Sequence, residues 1–68
     1  MERKIAEEIM ADAKTMFECI NRLTATTMRI EDEQNRTTVR RAIARIIAEL
    51  DDGVVRSVTK HFPDLDLT

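Results

Sequence analysis

Apolar and small side chains recur at alternating steps of three and four residues through the first 30 positions. They are Ala6, Ile9, Ala13, Met16, Ile20, Leu23, Thr27 and Ile30. This spacing is typical of a helix packed at a shallow angle on another helix, and it predicts a helix over about residues 3–28. A second row flanks the seam at Met10 and Phe17. Because one partner helix covers only a narrow stripe, we expect a plain two-helix hairpin to leave Met10 and Phe17 in water.

A second apolar stripe predicts a second helix over about residues 33–61. Its members are Val39, Ile43, Ile46, Ile47, Leu50, Val54, Val58 and Phe62. Gly53 interrupts the stripe at a cost of about 1 kcal/mol relative to alanine. It is a candidate position for a bend or for close approach of another backbone.

The connection between the two helices is short and contains neither glycine nor proline. Asp32 is the best candidate for the N-cap of the second helix, because its carboxylate can accept from the exposed amides at that end. Asn35 is a competing cap. One continuous helix through this segment is the main structural alternative.

Pro63 ends the second helix, because the residue before a proline is pushed out of the α region. The tail that follows, residues 63–68, carries Leu65 and Leu67 between acidic residues. We expect these leucines to fold back over the open end of the hairpin.

These patterns predict an all-α fold, a two-helix antiparallel hairpin that forms one domain over residues 1–68. With 68 residues, a lone core is marginal in stability. One cysteine and one histidine exclude an internal disulfide and a Cys/His metal framework. Association remains as the source of further stability, so we expect the hairpin to pair with a second copy into a four-helix bundle.

The residues expected at this dimer interface lie beside the two seams. They are Met10, Phe17, Ala44, Ala48 and Val55. Charge predicts the orientation: residues 18–45 carry six arginines against four acids, and the rest of the chain carries nine acids against five bases. An antiparallel homodimer sets these halves against each other, whereas a parallel one stacks like charges. Exposed ion pairs are individually weak, so charge selects the orientation and does not drive assembly.

Four arginines of the second helix form the cluster most suggestive of a binding site. They are Arg36, Arg40, Arg41 and Arg45, with no acid between them. Clustered arginines neutralise phosphates, so a nucleic-acid-binding regulator is the alternative function. We favour a solvated helix face that pairs with a neighbouring subunit, because the net charge is −2 and no aromatic residue lies nearby to stack on bases.

Nothing in the sequence indicates an enzyme, a cofactor or a metal site, since phosphate loops, catalytic triads and zinc spacings are absent. Cys19 is expected to be a small buried hydrophobe, His61 a capping or surface residue, and Met10, Met16 and Met28 core filler. A hairpin this thin leaves little room for a pocket of about 300 Å³ or more. The leading functional prediction is a small non-catalytic interaction or regulatory protein that acts as a homo-oligomer.

No uncharged apolar run approaches the roughly 20 residues of a membrane span, and the first four residues are followed by acids and not by the apolar region of a secretion signal. A lone thiol suits a reducing compartment. We therefore expect a cytoplasmic protein, of bacterial origin, whose partners are itself and another protein. In size and layout the chain resembles the small plasmid-encoded RNA-binding hairpins that dimerise into four-helix bundles. The resemblance is one of architecture, and no motif carries over.

Overall fold

Two helical arms run antiparallel in the computed structural model, which describes residues 1–66. Helix α1 spans Arg3–Thr27 and helix α2 spans Glu33–Glu49. The second arm continues from α2 through a π-helical segment, Leu50–Val55, and a short helix α3, Arg56–Thr59. One 3₁₀ turn follows at Pro63–Leu65. The predicted all-helical hairpin is confirmed, and the alternative of one continuous helix is wrong.

The turn between the arms closes without glycine because the last turn of α1 tightens. The amides of Arg29 and Ile30 donate to the carbonyls of Thr26 and Thr27, at 3.0 and 3.1 Å. These bonds span three residues and satisfy carbonyls that the end of an α-helix otherwise leaves without partners. No residue in the described part of the chain has a positive φ, so ordinary side chains suffice here.

Asp32 is the N-cap of α2, as its sequence position predicts. Its Oδ1 accepts from the amides of Gln34 and Asn35, at 2.8 and 3.4 Å. Asn35, the competing candidate, lies inside α2. Arg36 then reaches back across the turn, where its Nη1 donates to the carbonyl of Ile30 at 2.9 Å. The turn is therefore fixed by side chains from the first residues of α2.

The side of α1 that faces the second arm follows a different phase from the predicted one. Its buried and half-buried residues are Ala6, Ile9, Met10, Ala13, Phe17, Ile20, Thr24 and Thr27. Apart from Ile9, these residues still recur at steps of four and three. Met10, Phe17 and Thr24 take the seam positions that were predicted for Ile9, Met16 and Leu23. Met10 is 4% exposed, whereas Met16 is 48% and Leu23 44% exposed. The expectation that the hairpin leaves Met10 and Phe17 in water is wrong, because the second arm covers them.

A one-residue phase change also divides the seam of the second arm. Ile43 and Leu50 are buried seven residues apart, which is the spacing of a regular helical seam. The next buried residues are Val55 and Val58. A regular α-helix would bring Val54 to the seam four residues after Leu50. Because Val55 is buried instead, this arm has one extra residue between two successive seam positions.

The π segment absorbs that extra residue. The Arg56 amide donates to the carbonyl of Asp51, five residues back, where an α-helix uses the fourth. Val54, predicted on the seam, is consequently turned to solvent, while Val55 is 7% exposed. Gly53, the predicted irregularity in this stripe, lies within the segment.

Deleting Gly53 should remove the π segment and preserve the core, because Leu50 and Val55 then stand four residues apart in an uninterrupted α-helix. The deletion also removes a residue that is about 0.5–1 kcal/mol less favourable than alanine within a helix. We expect the variant to keep its helical circular dichroism and a cooperative thermal unfolding transition.

Deleting Ala48 is the matched control, because it brings Asp51 to the seam position of Leu50. Exchanging a buried leucine for a carboxylate should lower the free energy of unfolding by more than about 2 kcal/mol. If the two deletions lowered the free energy of unfolding by the same amount, the proposed phase change in the second arm would be contradicted.

The tail folds back over the open end of the hairpin. Phe62 and Leu65 pack against the core, and the Leu65 amide donates to the Phe62 carbonyl at 3.0 Å. Arg3, at the start of α1, pairs with Asp64 and lies 5.7 Å from the centroid of the Phe62 ring. Leu67, also predicted to fold back, lies outside the described residues.

The pairing of Arg3 with Asp64 predicts a pH dependence for the tail. The hydrogen bond from the Arg3 guanidinium holds the pKa of the Asp64 carboxyl below its ordinary value. A carboxyl with a lowered folded-state pKa stabilises the fold above its unfolded pKa, and the contribution is lost as pH falls through the folded pKa. The protection factor of the Leu65 amide, its exchange rate relative to that of an unfolded chain at the same pH, should therefore fall in acid.

An NMR titration of the Asp64 carboxyl checks this directly. Substituting Arg3→Gln should raise the pKa of Asp64, because the charge-assisted hydrogen bond is lost. If the titration of Asp64 is the same in the variant and the parent protein, Arg3 does not hold the tail in solution.

Candidate interaction surface

One side of the hairpin keeps a surface of large apolar side chains that neither arm covers. We call it the apolar face, and its exposed members are Ile5, Met16, Leu23, Val39, Ile46 and Val54. Residues seven apart share a helix face, which aligns Leu23 with Met16 on α1 and Val39 with Ile46 on α2. Ile46 is 47% exposed although it was predicted on the seam. Met16 and Met28, predicted as core filler, are exposed too.

An open groove of about 600 Å³ lies between the arms at the centre of this face. It is lined by Met16 of α1 and, from the second arm, by Ala42, Arg45, Ile46, Glu49, Leu50, Gly53 and Val54. It is a shallow concavity open to solvent along the surface and not a cavity enclosed by the hairpin. Long, open apolar grooves are where amphipathic helices dock.

The π segment shapes one end of the groove. By adding a residue after Leu50, it turns Val54 outward to the groove wall while Val55 enters the core. Gly53 contributes no side chain beside it. A Cβ at Gly53 would meet only Glu49 Oε2, at 3.8 Å, which is an ordinary contact. The backbone is therefore open to approach at this point.

The opposite side of the hairpin carries the residues predicted for the dimer interface. Met10 and Val55 are buried, and Phe17 is half-buried against the core. Met10 and Val55 occupy the chain's own core because both arms shift phase toward them, so the structure buries them within one hairpin; for Phe17 an interface role stays a prediction. Ala44 and Ala48 are exposed, and for them an interface role stays a prediction.

The rod exposes more surface than a compact chain of its mass. It measures 46 × 17 × 16 Å, and its radius of gyration is 14.5 Å, against about 11 Å for a compact chain of this length. Its accessible surface is 5362 Å², against about 4400 Å² for a folded monomer of this mass. The excess, about 950 Å², is close to the roughly 800 Å² that each partner contributes to a standard interface.

The four arginines of the predicted cluster do not share one site, although Arg40 and Arg41 both line one shallow concavity on α2. Arg36 is engaged with the carbonyl of Ile30, and Arg45 lines the groove of the apolar face. Arg40 lies on the opposite side, and Arg41 lies near the acidic start of α2. From Arg36 to Arg45 the positions turn through about 180° of the helix. They do not form one continuous stripe, and the nucleic-acid hypothesis stays a prediction.

Replacing Arg36 tests whether it stabilises the turn between the arms, a role that the exposed Arg41 does not have. Arg36→Ala removes a charge-assisted hydrogen bond to a part-buried carbonyl, and should lower the free energy of unfolding by about 1–2 kcal/mol. Arg41→Ala removes the same side chain from an exposed position and should change it by less than about 0.5 kcal/mol. Urea unfolding of both variants checks this, and equal losses would contradict the role of Arg36.

Cys19 is exposed, contrary to the expectation of burial. It precedes the seam residue Ile20 by one position and so points about 100° away from the second arm. Its Sγ lies 3.2 Å from Nη2 of Arg22, which donates to it. His61 is exposed just beyond α3. Within residues 1–66, no group of three His, Cys, Asp or Glu side chains is placed to hold a metal ion.

Comparison with known proteins yields no relative of this chain. No family model, no curated protein and no solved structure matches it. No helix in the described part of the chain is long and apolar enough to cross a membrane. A functional proposal therefore rests on the surface of the hairpin itself.

Proposed function

We propose that this chain is a small non-catalytic interaction or regulatory protein that works as a homo-oligomer, and that its copies associate through the apolar face. The observation that carries the proposal is the row of exposed side chains on one side of both arms, including Met16, Leu23 and Ile46. Contiguous exposed apolar surface typically marks a site of association.

The size of the intramolecular core supports the same proposal. Eight apolar residues of the described chain are buried, and two of them, Ala6 and Ala13, are alanines that contribute little apolar area. A domain below about 70–80 residues gains little stability from one such core. Pairing two hairpins by their apolar faces gives a four-helix bundle, in which side chains such as Met16 and Ile46 would be buried between the copies.

The proposal includes the compartment, the cytoplasm, and the number of copies, two. A single free thiol, Cys19, suits a reducing compartment, which favours the cytoplasm. Dimers are by far the commonest closed homo-oligomers, and the excess surface of one hairpin matches one partner's share of a standard interface. We therefore favour a dimer.

Ile46→Lys should abolish association and leave the hairpin folded, because it places a charge at the centre of the covered surface. Ala48→Lys places the same charge on an exposed residue of the opposite side and should leave association intact. Sedimentation at about 50 μM, roughly fiftyfold above a Kd of about 1 μM, should give one mass for Ile46→Lys and twice that mass for Ala48→Lys. Circular dichroism verifies that both variants are helical.

Two results would contradict the proposal in different ways. A well-folded parent chain that sediments at 7.9 kDa under these conditions would remove homo-oligomerisation itself. Dissociation by Ala48→Lys but not by Ile46→Lys would move the interface to the opposite side. If Ile46→Lys fails to fold, Val39→Lys places the same charge at the edge of the apolar face and decides between the two sides.

A further inference from the structure

We infer that the groove of the apolar face receives the second arm of another copy in antiparallel orientation. The loops of the two hairpins then lie at opposite ends, and Arg45 lies beside Glu49 of the partner subunit. This inference rests on the proposed function and adds to it the occupant of the groove, the orientation and the contact that fixes the register.

The walls of the groove favour a second copy as its occupant. Ile46 and Val54 offer large apolar side chains, while Ala42 and Gly53 leave space for close approach of a helix. A second copy presents the same apolar row, so one surface can cover the other in a self-complementary contact. The excess surface of the rod is also about what such a contact buries on each chain.

Two charged residues in the groove indicate the orientation. Arg45 and Glu49 both line it, four residues apart and so about 6 Å apart along the helix axis. Three ion pairs are found among residues 1–66, and neither Arg45 nor Glu49 belongs to one of them. Each therefore has its charge available at the surface where association is proposed.

A two-fold axis that crosses the second arm between these residues exchanges their positions. The second arms then run antiparallel against each other, and Arg45 meets Glu49 of the partner subunit at two symmetric contacts. A two-fold axis along the rod gives the other arrangement, with both loops at one end. There the second arm faces α1 of the partner, and these contacts are not made.

The charges of the whole rod favour the same orientation. Residues 18–45, the half nearest the loop, carry six arginines against four acids, and the open half carries nine acids against five bases. Antiparallel pairing sets each basic half against an acidic half. Electrostatic complementarity of this kind fixes orientation and register more than it adds affinity.

The test uses charge reversal in the full chain. Arg45→Glu places two acids in each groove, and Glu49→Arg places two arginines there, so either variant alone brings like charges together. Each should associate with itself about tenfold more weakly or worse, since juxtaposed like charges at an interface are strongly unfavourable. Mixed in equal amounts, the two variants should pair with each other, because every contact is again between opposite charges.

Native mass spectrometry distinguishes the mixed pair from the self-pairs by mass. The double variant, Arg45→Glu with Glu49→Arg, should regain the association of the parent chain. Arg41→Glu changes net charge as much as Arg45→Glu but lies off the groove, and should associate like the parent. If the parent dimerises and both single variants self-associate equally well, the orientation is wrong and the proposed function stands. If the parent is monomeric, the proposed function itself fails.

Discussion

Burial of the seam between α1 and the second arm is the interaction on which the rest of this structure depends. The seam selects which side of each helix is hidden, and so decides which side is left to water. On α1 it takes Met10 and Phe17 inward, which leaves Met16 and Leu23 outside. On the second arm the π segment has the corresponding effect: Val55 is buried at the seam and Val54 is exposed. The apolar face is thus a direct result of how the two arms settle against each other.

The helices and their limits were predictable because their signals are local. Asp32 caps α2 through its own carboxylate, and Pro63 prevents continuation of the helix by steric exclusion. The phase of the seam was not predictable in the same way. On α1, rows through Met10 and through Ile9 have the same alternation of three and four, and only the partner arm selects between them. Val54 and Val55 are adjacent in the sequence and either can follow Leu50 on the seam, so Gly53 was the available signal for an irregularity there.

The candidate surface follows from this choice of phase, which is why sequence patterns placed it on the wrong side for Met10 and Val55. Two other differences between the predicted and the observed positions follow from the angle of about 100° that each residue advances around an α-helix. Cys19 stands one position from a seam residue, and the arginines from Arg36 to Arg45 turn through half the helix circumference. Proximity in sequence suggested a cluster of these arginines, whereas helical geometry spreads them around the second arm.

The contact between Arg3 and Asp64 has a consequence for any attempt to join two copies in one polypeptide. Because this contact brings the beginning of α1 and Asp64 together, Arg3 and Asp64 of one hairpin lie at the same tip of a 46 Å rod. A tether between head-to-tail protomers must then traverse the rod, which takes at least about 14 residues even when fully extended. A shorter tether would force both tips together and impose the opposite topology on the fusion.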